Sequence, residues 1–189
     1  MVLPLRPRRG GFLRPFGPCW FILEFLSGRA PYGAPTINPA RGAPQSDIRF
    51  QYKEALHRAY AEDLVAGEEG KRVREKKPPL TLEEAEALRR YFLARTPMKM
   101  TRMRYHSFLV YFRLLKKLGW VEPTGETEPS EFQERYPPGP PRIYYRITAA
   151  GLAAPPTEVS NPLYALYPHF DPAYFASKRR ERRRKYLRR

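Results

Sequence analysis

The sequence predicts a mainly helical α+β protein with one small β-hairpin. Three observations carry that expectation. Residues 46–66, 81–95 and 105–118 each place apolar side chains three and four apart, the spacing of one helix face. Residues 142–148 alternate apolar and polar side chains, the spacing of a half-buried strand. Both ends of the chain are rich in arginine, and the first 45 residues hold eight prolines.

Residues 1–45 show no sustained period and are expected to form a Pro/Arg-rich arm, largely extended or disordered. Its one apolar stretch, 20–26, leaves a second possibility open. Phe21, Ile22, Phe25 and Leu26 would then dock on the body or on a second subunit.

Residues 46–79 are expected to be a helix followed by a charged linker. Ser46 offers a cap, Tyr52, Leu56, Tyr60 and Leu64 line one face, and Gly67 ends it. The linker GEEGKRVREKKPP then stops at Pro78-Pro79, so a domain boundary is expected here.

A third unit spans 80–156. Thr81-Leu82-Glu83-Glu84 is a capping box, in which the Thr hydroxyl and the Glu84 carboxylate satisfy each other's backbone amides. Ala85, Leu88 and Phe92 form the apolar stripe, and Thr96-Pro97 stops the helix. In the next helix Phe108, Tyr111, Phe112, Leu115 and Leu118 define a buried face. His106, Val110, Arg113 and Lys117 define the opposite one. Gly119 lies where a helix end needs a left-handed residue, and Trp120 and Val121 open a strand. Residues 123–141 are expected to be a long Pro/Gly/Glu loop. In 142–148, Ile143, Tyr145 and Ile147 point one way and Arg142, Tyr144 and Arg146 the other. Thr148-Ala149-Ala150-Gly151 starts a short helix that Pro155-Pro156 ends. Residues 157–189 form an aromatic and then arginine-rich tail.

Charge is unevenly placed. The net +16 divides into +8 over residues 178–189, +5 over 1–46 and only +3 over the 131 residues between. Cationic ends attract a polyanion. The single cysteine, Cys19, excludes an intrachain disulfide, and no CxxC or HxxxH spacing suggests a metal. The longest apolar run is interrupted by Glu24, too early for a membrane span. Pro15, Pro18 and Glu24 also break any targeting-peptide pattern near the start. No Gly-rich phosphate loop, Gly-x-Ser-x-Gly elbow or Cys-base pair is present, so neither catalytic residues nor a cofactor is expected.

The stretch LLKKLGWVE, followed after a loop by PPRIYYRITAAG, resembles the recognition-helix end and wing of winged-helix regulators of the PadR and MarR families. Leu115, Leu118, Gly119, Trp120, Val121 and Glu122 match the join. Pro141, Arg142, Tyr144, Tyr145, Ile147, Thr148 and Gly151 match the strand. The resemblance covers residues 81–154. It implies a winged helix-turn-helix, here with an extra N-terminal helix and basic Pro/Arg-rich tails.

The resemblance also implies a recognition helix in the major groove and wing residues near phosphate. Arg113 would then donate to a guanine, Val110 would touch a thymine methyl, and His106 would reach a base edge or phosphate. Arg102, Arg104, Lys117, Arg142 and Arg146 would approach phosphates. So would the tail residues Lys178, Arg179, Arg180, Arg182, Arg183, Arg184, Lys185, Arg188 and Arg189. Glu126, Glu128, Glu131 and Glu134 make the wing tip acidic, so the tip is expected to fold away from DNA or to contact a protein.

The expected function is a sequence-specific DNA-binding protein acting as a transcriptional regulator, cytoplasmic and nucleoid-associated in a prokaryotic host. The alternative is a structural nucleic-acid-packaging or ribonucleoprotein component. Its arms would bind RNA or DNA, and its winged helix would be a scaffold for protein. A homodimer or protein contact would use the 46–66 helix, the acidic loop or the aromatic segment 163–175. No membrane partner is expected.

Overall fold

A computed structural model describes residues 16–101, 104–130 and 139–167. The principal elements are α1 (Pro18–Leu26), β1 (Ala43–Pro44), α2 (Gln45–Arg74), α3 (Leu82–Arg95) and α4 (Tyr105–Lys117). They continue with β2 (Val121–Glu128), β3 (Arg142–Ile147), α5 (Ala149–Leu152), α6 (Pro156–Ser160) and α7 (Pro162–Leu166). The strands form an antiparallel sheet in the order β1-β3-β2. The α+β expectation therefore holds, with one more strand than the sequence suggested.

Residues 16–45 correct the expectation of an extended arm. Pro18 occupies the first turn of α1, where its missing amide has no intrahelical partner to lose. Phe21, Ile22, Phe25 and Leu26 are buried in the core of their own chain. A run of ring contacts crosses that core from Phe25 to Phe21, Tyr52, Phe108, Phe112 and Tyr145. The last is an edge-to-face pair with centroids 4.8 Å apart. The ring contacts thus join α1, α2, α4 and β3, so α1 is part of the structure that holds α4 in place. Residues 1–15 lie outside the described residues.

Helix α2 also departs from expectation. It runs through Gly67 and Gly70 to Arg74, about 45 Å at 1.5 Å per residue. Its buried residues stop at Val65. Beyond that point it is held by α3, which returns antiparallel along it with Ala85, Leu88 and Phe92 half-buried. Arg72 bonds Glu84, and His57 Nε2 lies 2.8 Å from the Thr96 carbonyl oxygen, tying both ends of the pair. Residues 67–74 are therefore helix and not linker. The α2 stop is a left-handed Lys76 (φ 55°), with Lys77 N–H donating to the Arg72 carbonyl, before Pro78-Pro79. The α3 capping box forms as expected, the Thr81 amide donating to the Glu84 carboxylate at 2.9 Å and the Glu84 amide donating to the Thr81 hydroxyl at 3.2 Å.

At the end of α4, Gly119 (φ 69°) completes a Schellman turn. Its amide donates to Lys116, and the Trp120 amide donates to Leu115. The turn buries Trp120 and sends the chain into β2. Thr148 fastens the other end of the hairpin to this join. Its hydroxyl donates to the Gly119 carbonyl at 2.6 Å and accepts from the Gly151 amide at 3.1 Å. A Cβ on Gly151 would collide with the Trp120 carbonyl, so the position has no room for a side chain. The Gly-Trp and Thr-x-x-Gly halves of the sequence motif are thus one lock.

Strand β2 extends to Glu128, so residues 123–128 are sheet where a loop was expected. A register irregularity between Pro123 and Thr127 absorbs Pro123 and Gly125. The short helices α6 and α7 were not anticipated. They follow α5, and α6 presses Val159 into the core edge. No helix among the described residues is long and apolar enough to cross a membrane.

Candidate nucleic-acid interface

Helix α4 presents two distinct faces. Phe108, Phe112 and Leu115 are buried, and Tyr111 and Leu118 pack at the margin of the core. Arg104, His106, Val110, Arg113 and Lys117 are exposed, Val110 at 43%. The helix contains no Asp or Glu, and its last turn holds Lys116 and Lys117. Among the described residues, no ion pair draws on Arg104, His106, Arg113 or Lys117. Lys117 Nζ does stand 5.8 Å over the Tyr167 ring, so α7 borders the C-terminal end of this face. Arg102 lies outside the described residues.

At the other end of α4 is a pair that sequence reasoning missed. The Arg49 guanidinium of α2 lies 5.3 Å from the ring centre of Tyr105, which is 56% exposed. Arg49 and Tyr105 therefore meet at the start of the helix, beside Arg104 in the chain. The signal in the sequence was slight, because Tyr105 is three residues before Phe108, in phase with the apolar stripe, and yet is exposed.

The outer face of the hairpin has the opposite electrostatics. Across it Arg146 bonds Glu122 at 2.9 Å, with each side chain about half exposed. Arg142 is 19% exposed and pairs with Glu128 at 3.0 Å and with Asp47 of α2. Between them Arg41 covers Tyr144. Its guanidinium is 4.7 Å from the ring centre and donates twice to Glu126, at 2.8 and 2.6 Å. The Arg41–Glu126 hydrogen bond holds the guanidinium even more firmly protonated than usual. The Tyr144 hydroxyl accepts from Arg41 and donates to Glu128 at 2.6 Å, a bond that raises the phenol's pKa. Tyr144 is thus covered by the N-terminal segment and lies away from solvent.

Three arginines on this face meet four carboxylates. Arg142 and Arg146, expected to approach phosphates, are thus each paired with carboxylates of the same chain. Glu126 and Glu128 are engaged by Arg41, Tyr144 and Arg142 of the same chain. Glu131 and Glu134 lie outside the described residues, as do the tail cations Lys178, Arg179, Arg180, Arg182, Arg183, Arg184, Lys185, Arg188 and Arg189.

Burial pushes the Cys19 thiol up to about 12, so it is a packing residue in α1. Among the described residues no group of three or more His, Cys, Asp or Glu is placed to hold a metal ion. Comparison with protein-family models, curated proteins and solved structures returned no match to this chain.

Proposed function

We propose that the chain is a winged-helix DNA-binding protein, a transcriptional regulator whose α4 enters the major groove. The observation that carries this reading is the exposed, carboxylate-free face of α4, with Arg104, His106, Val110, Arg113 and Lys117 along it. A merely solvated helix face ordinarily mixes both signs of charge. This one offers donors and one small apolar group, the combination that base edges and flanking phosphates require.

Two features of the fold support the same reading. The order α1, β1, α2, α4, β2, β3 with sheet order β1-β3-β2 suits a winged helix, with α3 as an added element. The Gly119–Thr148–Gly151 lock sets α4 rigidly against the hairpin. In this proposal Arg113 reads a base, Val110 touches a thymine methyl, and Arg104, His106 and Lys117 contact the phosphate flanks. The basic tail from Lys178 adds affinity independent of sequence.

A second reading, a structural nucleic-acid-packaging or ribonucleoprotein component, is favoured by the α2–α3 pair. That pair extends past the last buried α2 residue and exposes Val73, Leu82 and Tyr91, apolar groups suited to a protein contact.

Truncation after Ser177 separates the two readings. The regulator keeps a preference for a selected duplex over mixed duplex and RNA, and loses salt-dependent affinity equally on all three. A packaging component loses essentially all binding with the tail. A fragment starting at residue 46 is unsuitable for this test, because it lacks the buried side chains of α1.

A further inference from the structure

The hairpin's arginines form an ordered series. Residues 142, 144 and 146 of β3 share one face, and Arg41 lies over the middle position. Each guanidinium is met by a carboxylate of β2: Arg142 by Glu128, Arg41 by Glu126 and Arg146 by Glu122. Glu122 and Glu128 are the direct cross-strand neighbours of Arg146 and Arg142. Arg41 binds Glu126 through two nitrogens, a geometry that would also suit a phosphate. Asp47 adds a fourth carboxylate.

We infer that β2 is an electrostatic guard. Its carboxylates occupy the hairpin arginines in place of phosphate, so that nucleic acid is held by α4 and turned away from the wing. This rests on the proposed DNA-binding role of α4 and deepens it by limiting the contact to one side. The guard confines the cationic surface to the recognition face and leaves the hairpin without affinity for arbitrary duplex. It also makes the wing convertible, since removing one carboxylate releases one arginine to a phosphate.

The Glu122–Arg146 pair is the place to test this, because both side chains are about half exposed and neither belongs to the core. The full chain is titrated with a short mixed-sequence DNA duplex across a salt series. Glu122→Gln tightens binding roughly three- to tenfold and steepens the salt dependence by about one counterion, because one arginine becomes available. Arg146→Gln in the Glu122→Gln background removes that gain, whereas Glu83→Gln on α3, far from the hairpin in sequence, gives none.

Weaker binding by the double variant than by the wild-type chain overturns the inference, because the wing is then already in contact. So does a Glu122→Gln gain that survives Arg146→Gln, or that Glu83→Gln reproduces, or no gain at all. These outcomes leave the α4 reading standing. Failure of the wild-type chain to bind any duplex overturns that reading and the guard together.

Discussion

The guanidinium of Arg41 covers the ring of Tyr144 at 4.7 Å and bonds its hydroxyl, joining two residues that lie 103 positions apart. Gly42, the next residue, runs so close to β3 that a Cβ there would strike the Tyr145 carbonyl. The segment before β1 is thereby closed onto the hairpin. Tyr144→Phe removes the hydroxyl that links Arg41 to Glu128 and leaves the ring. It is expected to cost about 1 kcal/mol of stability, as for one lost hydrogen bond in a partly buried network. Chemical denaturation checks this, and a change indistinguishable from zero means the ring alone holds the contact.

Phe21 tests whether α1 belongs to the core. Its side chain is fully buried and touches Phe16, Phe25 and Tyr52. Phe21→Ala is expected to cost about 3–5 kcal/mol. An effect below about 1 kcal/mol, the range of surface positions, would return α1 to the status of a loosely attached arm.

The α3 cap predicts a pH dependence. The Thr81 amide and then Arg72 hold the Glu84 carboxyl below its ordinary value of 4.5. A depressed folded pKa contributes stability that is present above 4.5 and is lost as the pH falls through the depressed value. The stability advantage of the wild-type chain over Glu84→Gln is therefore expected to be full at neutral pH and to fade below pH 4.5. An advantage that is constant from neutral to acid pH contradicts the assignment.

Cys19 is expected to resist alkylation in the folded chain at neutral and mildly alkaline pH, since burial keeps its thiol protonated up to about 12. Iodoacetamide labelling with and without denaturant reads this directly. Equal rates in the two states would show that α1 opens freely.

The parts legible in the sequence are those with local signals. Helix α4 announced itself by spacing, β3 by alternation, and the α3 start by its capping box. Helix α1 was hidden because Pro15 and Pro18 look like breakers, although Pro18 stands at the one helical position that tolerates it. Strand β1 is two residues long, too short to carry a period. Strand β2 was concealed by Pro123 and Gly125, whose irregularity the sheet absorbs. The exposed stripe of α4 was readable from its spacing alone. The pairing of Arg142 and Arg146 was not, because Asp47, Glu122 and Glu128 reach them only through the folded sheet and the start of α2. A strand period says which way an arginine points and nothing of what meets it there.

The central claim, that the outward face of α4 reads DNA, is tested most directly by Arg113→Ala in the full chain, assayed on a selected duplex and a mixed-sequence duplex across a salt series. The account predicts a loss of roughly 1–3 kcal/mol confined to the selected duplex, relaxed preference at one base pair, and an unchanged salt slope. An equal loss on both duplexes, or no loss on either, would contradict it.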